Sequence, residues 1–383
     1  MSRRLTVITE LIAPYRIPVF NALARLNGIN LHVIFLAEND PAQRQWLVYK
    51  DEIHFSCQVL PSWRWRVGSN HLLFNWGLVQ ALRQAAPDAI LCGGYNYPAA
   101  WRALFWAGRS HVPFLLWAES NTRDFRRGRA EIEFLKTRFL RHCDGFVVPG
   151  ESSFEYLSKY GARKETIFTA PNAVDTQFFA QRAEQVGADA TARSRFNLPA
   201  RFFLFVGRLM DGKGVFDLLH AYQTLPAKLR EEIGLVFVGD GAARSGLGRL
   251  AAKINSGVVH FAGFVQREDL PVYYGLADAL VFPTHTDAWG LVVNEAMACG
   301  LPVICSRAAG CAEDLVRDHW NGRLVCPGDT EGLASAMQEL GRDASLRSIM
   351  GARSKEQIAA YSPEACAAGM AAAVLSRGDP AHG

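Results

Sequence analysis

Two cationic residues lie five positions apart where a buried apolar run ends. The run Phe202–Val206 is followed by Gly207 and Arg208, and a glycine-rich turn then leads through Lys213 into a helical pattern. An arginine can grip two oxygens at once, and a lysine adds a point charge. Glycines let the backbone approach a ligand, and N–H groups at a helix start add positive potential. The pattern predicts a diphosphate site; a charged surface turn is the alternative.

Two carboxylates follow a second apolar run, 279–282. Asp287 stands in the next loop, and Glu295 lies within the helical pattern that begins at Leu291. Burying a carboxylate in an apolar helix is costly unless it meets hydrogen-bond donors, and sugar hydroxyls are such donors. The free amides of residues 288–292 could hold phosphate. Alternatively, Asp287 caps the helix and Glu295 meets a neighbouring arginine.

Short β-branched or aromatic runs alternate with helical patterns along all 383 residues, which is typical of parallel α/β sheets. The chain is longer than a single core usually allows. We therefore predict two Rossmann-like domains of the α/β class facing across a cleft, where the carboxyl ends of both sheets bind ligands. The predicted strands are 5–9, 31–36, 89–92, 113–117, 145–148, 166–169, 202–206, 235–238, 258–261, 279–282, 302–305 and 323–326.

The predicted N-terminal domain covers residues 1–180. The predicted C-terminal domain covers residues 181–361 and contains the predicted diphosphate site. A C-terminal helix, at about 362–378, is expected to pack back on the first domain. The stretch 180–200 is polar and alanine-rich without a strand pattern, so we interpret it as the crossing between the domains.

These motifs together resemble the retaining glycosyltransferases of family 4, which have the GT-B fold. The resemblance covers residues 145–340 well and the first 140 residues poorly, and its most specific part is the run 287–304. Further matches are Gly207-Arg208-Leu209 with Lys213-Gly214, Val238-Gly239-Asp240-Gly241, Phe261-Ala262-Gly263-Phe264, Pro171-Asn172-Ala173-Val174-Asp175, Asn321-Gly322 and Pro327-Gly328-Asp329.

The resemblance implies that residues 1–180 bind the acceptor and residues 181–361 bind the nucleotide-sugar donor, and it implies a role for each matched position. Arg208 and Lys213 would neutralise the donor diphosphate, and Glu295 would hold the ribose hydroxyls. Asp287 stands where the family usually has glutamate and would approach the donor hexose with one methylene less. The remaining donor contacts, from the loop backbone and from residues beside the base, would come from Gly207, Gly239, Phe264, Val265, Ala288, Trp289, Gly290, Leu291 and Val292.

The N-terminal half departs from the family. In place of a glycine-rich loop after the first strand, Pro14 suits a helix start, and Tyr15 and Arg16 would bind the acceptor. Many relatives also have a histidine near the donor after the fourth strand, and here the nearest polar residue is Glu119. Either Glu119 takes over its hydrogen-bonding role in catalysis or the site works without one, and we adopt the first as our hypothesis.

The sequence has no DxD motif, so we predict a diphosphate held by Arg and Lys, with no metal and no cofactor besides the nucleotide-sugar co-substrate. Charge develops on the departing diphosphate, where fixed cations stabilise the transition state. Retention of configuration follows from the resemblance alone. No covalent nucleophile is evident, so we expect same-face attack through a short-lived ion pair.

The predicted reaction moves a hexose, from a UDP-sugar on family frequency, to a hydroxyl of a glycan or lipid-linked acceptor in cell-surface polysaccharide or glycolipid synthesis. A GDP-mannose-dependent mannosyltransferase and a UDP-sugar epimerase of similar architecture are the enzymatic alternatives. A nicotinamide-dependent dehydrogenase would want GxGxxG after the first strand, and Gly239-Asp240-Gly241 is only a partial match. A non-catalytic glycan-binding module is the remaining class.

Positive charge is concentrated in the first half. Residues 1–180 carry a net charge of +6 and the remainder −2. The excess lies in 123–129 and continues through Lys136, Arg138 and Arg141, and Trp63-Arg64-Trp65-Arg66 has a similar character. It indicates either a solvated helix face or a surface for anionic membrane lipid or a phosphate-bearing acceptor. No nucleic-acid motif accompanies it, so nucleic acid is not an expected partner.

The start of the chain lacks a signal-peptide pattern, and no apolar run reaches the roughly 18 residues of a spanning helix. The eight cysteines form no CxxC pair and are interpreted as buried thiols of a reducing compartment. We therefore expect a cytoplasmic protein that contacts the inner face of the membrane peripherally.

Overall fold

The computed structural model describes residues 2–40, 45–67, 70–121, 130–189 and 191–376. The chain divides into two compact units, one formed by Met1–Val174 with Pro363–Gly383 and the other by Asp175–Ser362. The change of unit thus falls between Val174 and Asp175, ahead of position 180 where the sequence analysis placed it. The C-terminal helix belongs to the first unit.

Strands and helices alternate through both units. The strands are β1 (Arg3–Thr9), β2 (Ile29–Phe35), β3 (Ser56–Val59), β4 (Ser62–Val67), β5 (Asn70–Asn75), β6 (Ala89–Gly93), β7 (Phe114–Trp117), β8 (Gly145–Val148), β9 (Ile167–Thr169), β10 (Phe202–Val206), β11 (Gly234–Val238), β12 (Val259–Gly263), β13 (Ala279–Phe282), β14 (Val303–Ser306) and β15 (Gly322–Val325). The α-helices are α1 (Ile17–Arg25), α2 (Leu78–Ala85), α3 (Pro98–Ser110), α4 (Ala130–Arg141), α5 (Glu151–Lys159), α6 (Thr176–Ala188), α7 (Ala192–Arg195), α8 (Val215–Thr224), α9 (Ala227–Glu232), α10 (Arg244–Ala251), α11 (Leu270–Leu276), α12 (Leu291–Ala298), α13 (Ala312–Leu315), α14 (Thr330–Arg342), α15 (Ala344–Ile358) and α16 (Pro363–Leu375).

The first unit is a parallel sheet with strand order β3-β2-β1-β6-β7-β8-β9. Helices α1 and α16 cover one face, and α2 to α5 cover the other. The chain runs outward from β1 and returns to β6 on the other side of it, so the order reverses between β1 and β6. Ligands of open α/β sheets bind at the carboxyl ends beside such a reversal. A separate antiparallel hairpin is formed by β4 and β5.

The second unit is a parallel sheet with order β12-β11-β10-β13-β14-β15. Its strand order reverses between β10 and β13, and the predicted diphosphate residues follow β10. All five side chains of β10 are buried, because helices cover both faces of such a sheet and its strands read as continuous apolar runs. The predicted two parallel-sheet α/β domains are therefore confirmed.

The stretch 180–200 is not a simple crossing between domains. Most of it belongs to α6 and α7 within the second unit. Helix α6 packs on α11 so closely that a Cβ on Gly275 would lie 3.0 Å from the carbonyl oxygen of Ala183. The alanines that made the stretch look like a linker are good helix formers, and their small side chains permit this approach.

One helical stretch, Ala344–Leu375, is long and apolar enough to cross a membrane by length and composition alone. The structure divides it into α15 and α16, with residues 359–362 between them. In α16, Cys366, Ala367, Met370 and Val374 are buried in the core of the first unit. Packing in a core therefore accounts for the apolar composition of α16.

Candidate functional site

Strand β10 places Arg208 at the carboxyl edge of the second sheet, beside the reversal of strand order. The buried strand ends at Val206, and the chain turns at Gly207, whose φ is 151°. The side chain of Arg208 is exposed and makes no hydrogen bond or ion pair with any residue that the structure describes. Its guanidinium is thus open to an anionic ligand.

Three strand ends are held together by close backbone contacts around this arginine. The Gly207 N–H donates to the Val238 carbonyl at 3.0 Å, and the Gly239 N–H donates to the Gly263 carbonyl at 2.7 Å. A Cβ on Gly239 would lie 1.9 Å from the Gly207 carbonyl oxygen, and its φ is 129°. Glycine is therefore required at this position. Phe264, which is 42% exposed, and the partly buried Val265 follow β12 at the same edge.

Lys213 ends the 3-10 turn Asp211–Lys213 and forms an ion pair with Asp287, from the loop after β13. The two predicted site residues are 74 positions apart in sequence. Their side chains are 17% and 21% exposed, so the pair is shielded but still reachable. The lysine charge is matched by Asp287, so Arg208 is the member of the predicted cation pair that has no partner among the described residues.

The turn after β10 and the loop after β13 are fastened by further contacts. The Thr284 hydroxyl donates to the Thr286 carbonyl at 2.8 Å and lies 3.1 Å from the Gly212 carbonyl oxygen. The same oxygen accepts the His285 N–H at 3.0 Å. A Cβ on Gly214, whose φ is +66°, would lie 2.1 Å from the Pro283 carbonyl oxygen. Lys213 therefore sits on a rigid support.

Sequence reasoning gave no role to His285, which forms an ion-pair contact with Asp217 of α8 when protonated. The contact ties the loop after β13 to the first turn of α8. The two residues are 68 positions apart, so no local sequence pattern predicts the contact.

Helix α12 is preceded by the N-cap residue Gly290, which is left-handed at φ 104° and supplies no side-chain cap. A Cβ there would lie 2.6 Å from the ring of Phe282. The amides of Leu291 and Val292 are in the first turn, where N–H groups have no intrahelical acceptor. The exposed Ala288 precedes them, and phosphate binding by these amides stays a prediction.

Trp289 differs from that expectation. Its N–H donates to the Asp287 carboxylate at 3.1 Å, so this amide is not free for phosphate. Its indole is 4% exposed and donates to the Asn294 side chain at 2.9 Å. The aromatic side chain therefore holds the start of α12 in place and does not face a ligand.

Glu295 accepts a 2.6 Å hydrogen bond from the hydroxyl of Tyr274, in α11. Burial raises the pKa of Glu295 to about 7, and the bond from Tyr274 works in the opposite direction. The donor that offsets the burial of this carboxylate is thus a tyrosine and not the neighbouring arginine of the alternative interpretation. A nearby sugar hydroxyl would supply a further donor.

In the first unit, Arg16 and Glu119 are brought together. Arg16 ends the 3-10 turn Pro14–Arg16 after β1, and its Nη2 lies 2.9 Å from Oε1 of Glu119, after β7. The guanidinium carbon is 3.8 Å from the ring centre of Trp117. Tyr15 packs edge-on against Trp46, with ring centres 6.0 Å apart. Arg16, predicted to bind acceptor, is thus engaged by Glu119.

The predicted aromatic and cationic surface is split by the structure. Trp63-Arg64-Trp65-Arg66 lies in strand β4 and not in a helix. Side chains alternate along a strand, so Trp63 and Trp65 are about half exposed and stacked, with ring centres 6.1 Å apart. Arg64 forms an ion pair with the buried Asp40, and its charge is not available to a membrane.

The basic cluster of residues 123–129 lies outside the described residues. In α4, Arg138 and Arg141 are exposed, as the surface hypothesis requires. Lys136 is buried, and its Nζ lies 3.0 Å from a Glu133 carboxylate oxygen. Its inclusion in a basic surface was wrong, because the sequence pattern alone does not show which helix face is covered.

Within the described ranges, no group of three or more His, Cys, Asp or Glu residues is placed to hold a metal ion. The metal-free mechanism stays a prediction, and it is tested by the chelation experiment below.

Two family models match successive parts of the chain. The model described as Glycosyltransferase Family 4 matches residues 19–178, and that described as Glycosyl transferases group 1 matches residues 189–357. Between them they cover most of both units.

Individual relatives agree with these models. The O-antigen chain mannosyltransferase B of Escherichia coli is 32% identical over 167 residues, which are 43% of this chain and 43% of that protein. The D-inositol 3-phosphate glycosyltransferase of Streptomyces bingchenggensis is 33% identical over 213 residues, 52% of this chain and 46% of that one. The chain thus spans about half the length of the curated relatives it matches.

Among solved structures, Anabaena Alr3699/HepE in complex with UDP has a TM-score of 0.73 at 16% identity, covering 98% of this chain and all of that one. At this identity the likeness concerns the fold. It extends over both α/β units, including the N-terminal part where the sequence motifs departed most.

Proposed function

This chain is a glycosyltransferase that belongs to family 4, and we propose that it transfers a hexose from a UDP-sugar to a hydroxyl of a glycan or lipid-linked acceptor. The observation that carries the proposal is Arg208, an exposed cation without a described partner at the carboxyl end of β10. Lys213 and the first amides of α12 belong to the loops that follow β10 and β13, at the reversal of strand order.

The chemistry needs stabilisation of the leaving nucleoside diphosphate. Negative charge builds on the diphosphate as the bond to the anomeric carbon breaks, so cations and amides fixed before reaction stabilise the transition state more than the ground state. Arg208 would grip two phosphate oxygens. Lys213, which forms an ion pair with Asp287, would give up part of that ion pair in order to bind the phosphate. Glu295 would accept the ribose hydroxyls, and Phe264 would lie against the base.

Two candidate reactions differ in the nucleotide base of the sugar donor. The similar Anabaena protein was solved in complex with UDP, and a mannosyltransferase is among the relatives, which favours a GDP-mannose donor as the second candidate. A thermal-shift screen of the full chain with UDP, GDP, ADP and dTDP separates them, and we expect UDP to raise the Tm most. A larger shift with GDP would select the second candidate, and no shift with any nucleotide would contradict the proposed donor site.

Turnover then tests the reaction class. Purified protein with the selected nucleotide sugar and a glycan acceptor should release nucleoside diphosphate and form a glycoside whose anomeric configuration, read by proton NMR, equals that of the donor. Inversion would contradict the retaining mechanism. An epimerase would convert the sugar without needing an acceptor, so an acceptor-free reaction is the control.

We also propose that the acceptor is carried by a lipid and is met at the inner face of the membrane. The support is a set of exposed aromatic side chains, Trp63, Trp65 and Trp76, together with Phe105 and Phe134, all in the first unit. Tryptophan, with an apolar ring and a polar N–H, is suited to the membrane interface, and phenylalanine adds apolar area. The exposed Arg138 and Arg141 add charge that anionic lipid attracts.

A further inference from the structure

The contact between Arg16 and Glu119 joins two loops at one edge of the first sheet. Arg16 follows β1 and Glu119 follows β7, and these strands lie on either side of β6. The two residues are 103 positions apart. Both lie beyond carboxyl ends of parallel strands, next to the reversal of strand order, which is where ligands of such sheets bind.

The arginine of this pair is built into the protein. Its side chain is 15% exposed, it stacks over Trp117 at 3.8 Å, and its Nη2 is held by Glu119 at 2.9 Å. Burial opposes the charge, but Glu119 and then Tyr15 raise the pKa of Arg16 above its ordinary value, so it stays protonated. A guanidinium held in this way is poorly placed to receive an acceptor.

The carboxylate of the pair is the half that remains available. Its side chain is 34% exposed, and Arg16 is its hydrogen-bond partner through Oε1. The other oxygen, Oε2, has no hydrogen bond to any residue within the described ranges. A carboxylate can accept at both oxygens, so one oxygen is fixed by Arg16 while the second has no partner among the described residues and can accept a further donor.

We infer that Arg16 is a positioning residue that holds Glu119 so that its free oxygen accepts a hydroxyl of a bound sugar. The inference rests on the proposed function, since it needs a sugar substrate. The planar fork of arginine fixes a carboxylate in direction as well as in place, which a lysine does not do. Stacking on Trp117 fixes the guanidinium in turn. The sugar is either that of the donor or that of the acceptor.

The test compares Glu119→Gln, Arg16→Lys, Arg16→Ala and the double variant Arg16→Ala/Glu119→Gln, with Arg25→Ala as control because Arg25 is exposed and has no described partner. We expect Glu119→Gln to lower kcat/KM by about 10- to 100-fold, as for loss of a charged hydrogen bond. Arg16→Ala should lower it similarly, Arg16→Lys less, and the double variant no more than the worse single one.

Two further readouts separate the sources of the hydroxyl. A raised KM for the donor with slower acceptor-free hydrolysis would assign the donor sugar, and a raised KM for the acceptor with unchanged hydrolysis would assign the acceptor sugar. Wild-type kcat/KM in Glu119→Gln, or losses that multiply in the double variant, would overturn the inference. Circular dichroism and the Tm show whether each variant folds, and Glu119→Gln alone keeps the test decisive if Arg16→Ala does not.

UDP binding by calorimetry distinguishes this failure from that of the proposed function. Binding to the second unit should stay within about twofold of wild type in every variant that folds, because both changes lie in the first unit. An active wild type with an unaffected Glu119→Gln variant refutes the inference alone. A wild-type protein that neither binds nucleotide nor transfers sugar refutes the proposed function.

Discussion

The hydroxyl of Tyr274 donates a 2.6 Å hydrogen bond to the carboxylate of Glu295. Tyr274 itself is fully buried, and burial followed by the charge of Glu295 raises its pKa well above the ordinary value, so it remains a donor. The motif carboxylate is therefore oriented by a neighbour on α11 before any ligand arrives.

Glu295 should make the protein less stable as the pH rises. Its pKa is raised from 4.5 to about 7 in the folded chain, so the folded state binds a proton that the unfolded state has released. The stabilisation of the folded state that comes from protonated Glu295 is fully present below about pH 4.5 and is lost as the pH rises through about 7. Urea unfolding between pH 5 and 8 should show a smaller decline for Glu295→Gln than for wild type.

Tyr274→Phe is the variant to compare with Glu295→Gln, because it removes the hydrogen bond and keeps the carboxylate. The phenol lowers the pKa of Glu295, so its removal should raise that pKa and carry the decline to higher pH. Parallel curves for wild type and Glu295→Gln would show that Glu295 does not titrate in this range.

Arg208→Ala and Lys213→Ala should each lower turnover by about 100-fold, the usual effect of losing a contact to developing charge. Arg342→Ala is the control, because Arg342 is exposed and has no described hydrogen bond. Steady-state kinetics on the purified variants, with the Tm measured alongside, provide the comparison. Wild-type rates in both site variants would refute the diphosphate assignment.

Gly214→Ala should destabilise the packing of the turn after β10 against the loop after β13, while Gly212→Ala in the same turn should not. A Cβ on Gly214 would lie 2.1 Å from the Pro283 carbonyl oxygen in left-handed backbone, whereas a Cβ on Gly212 meets nothing within 4 Å. We expect a loss of about 2 kcal/mol or more for Gly214→Ala in chemical denaturation. Equal free energies of unfolding for the two variants would show that the turn accommodates the added Cβ at Gly214 without loss of stability.

Binding to anionic vesicles should depend on the hairpin tryptophans and on salt. Trp63→Ala/Trp65→Ala should reduce co-sedimentation, while Arg64→Ala should leave it unchanged because Arg64 is paired with Asp40. Exposed charges are screened beyond about 10 Å at 0.1 M salt, and each basic residue near the surface contributes about 1 kcal/mol. Binding should therefore fall as salt is added. Equal pelleting with neutral and anionic vesicles, or none with either, would contradict the membrane proposal.

Transfer should persist when metals are removed. The sequence lacks DxD, and Arg208 with Lys213 would supply the charge that a metal would otherwise bring. Activity is measured after EDTA treatment and again after adding Mn²⁺ or Mg²⁺. Loss with EDTA and recovery with either ion would refute the metal-free mechanism.

Each strand predicted from a buried apolar run is present, and its ends coincide with the prediction or differ from it by at most two residues. Apolar runs and their turn signals are local, so a strand such as β10 can be read without its neighbours. The strands β3, β4 and β5 were missed. In β4 the alternation of Trp63, Arg64 and Trp65 is a strand pattern, but it was read as a charge cluster because the composition stood out more than the period.

The sequence alone was enough to predict the two parallel α/β domains, the family and the order of the donor-site motifs. Each of these depends on patterns formed by residues that are close together in the chain. Which charges remain available became clear only from the folded arrangement. Lys213 meets Asp287 and Arg16 meets Glu119 across 74 and 103 positions, and Trp289 turns its ring into the core. Such pairings depend on strand order and helix packing, which bring distant residues together and which no local pattern encodes.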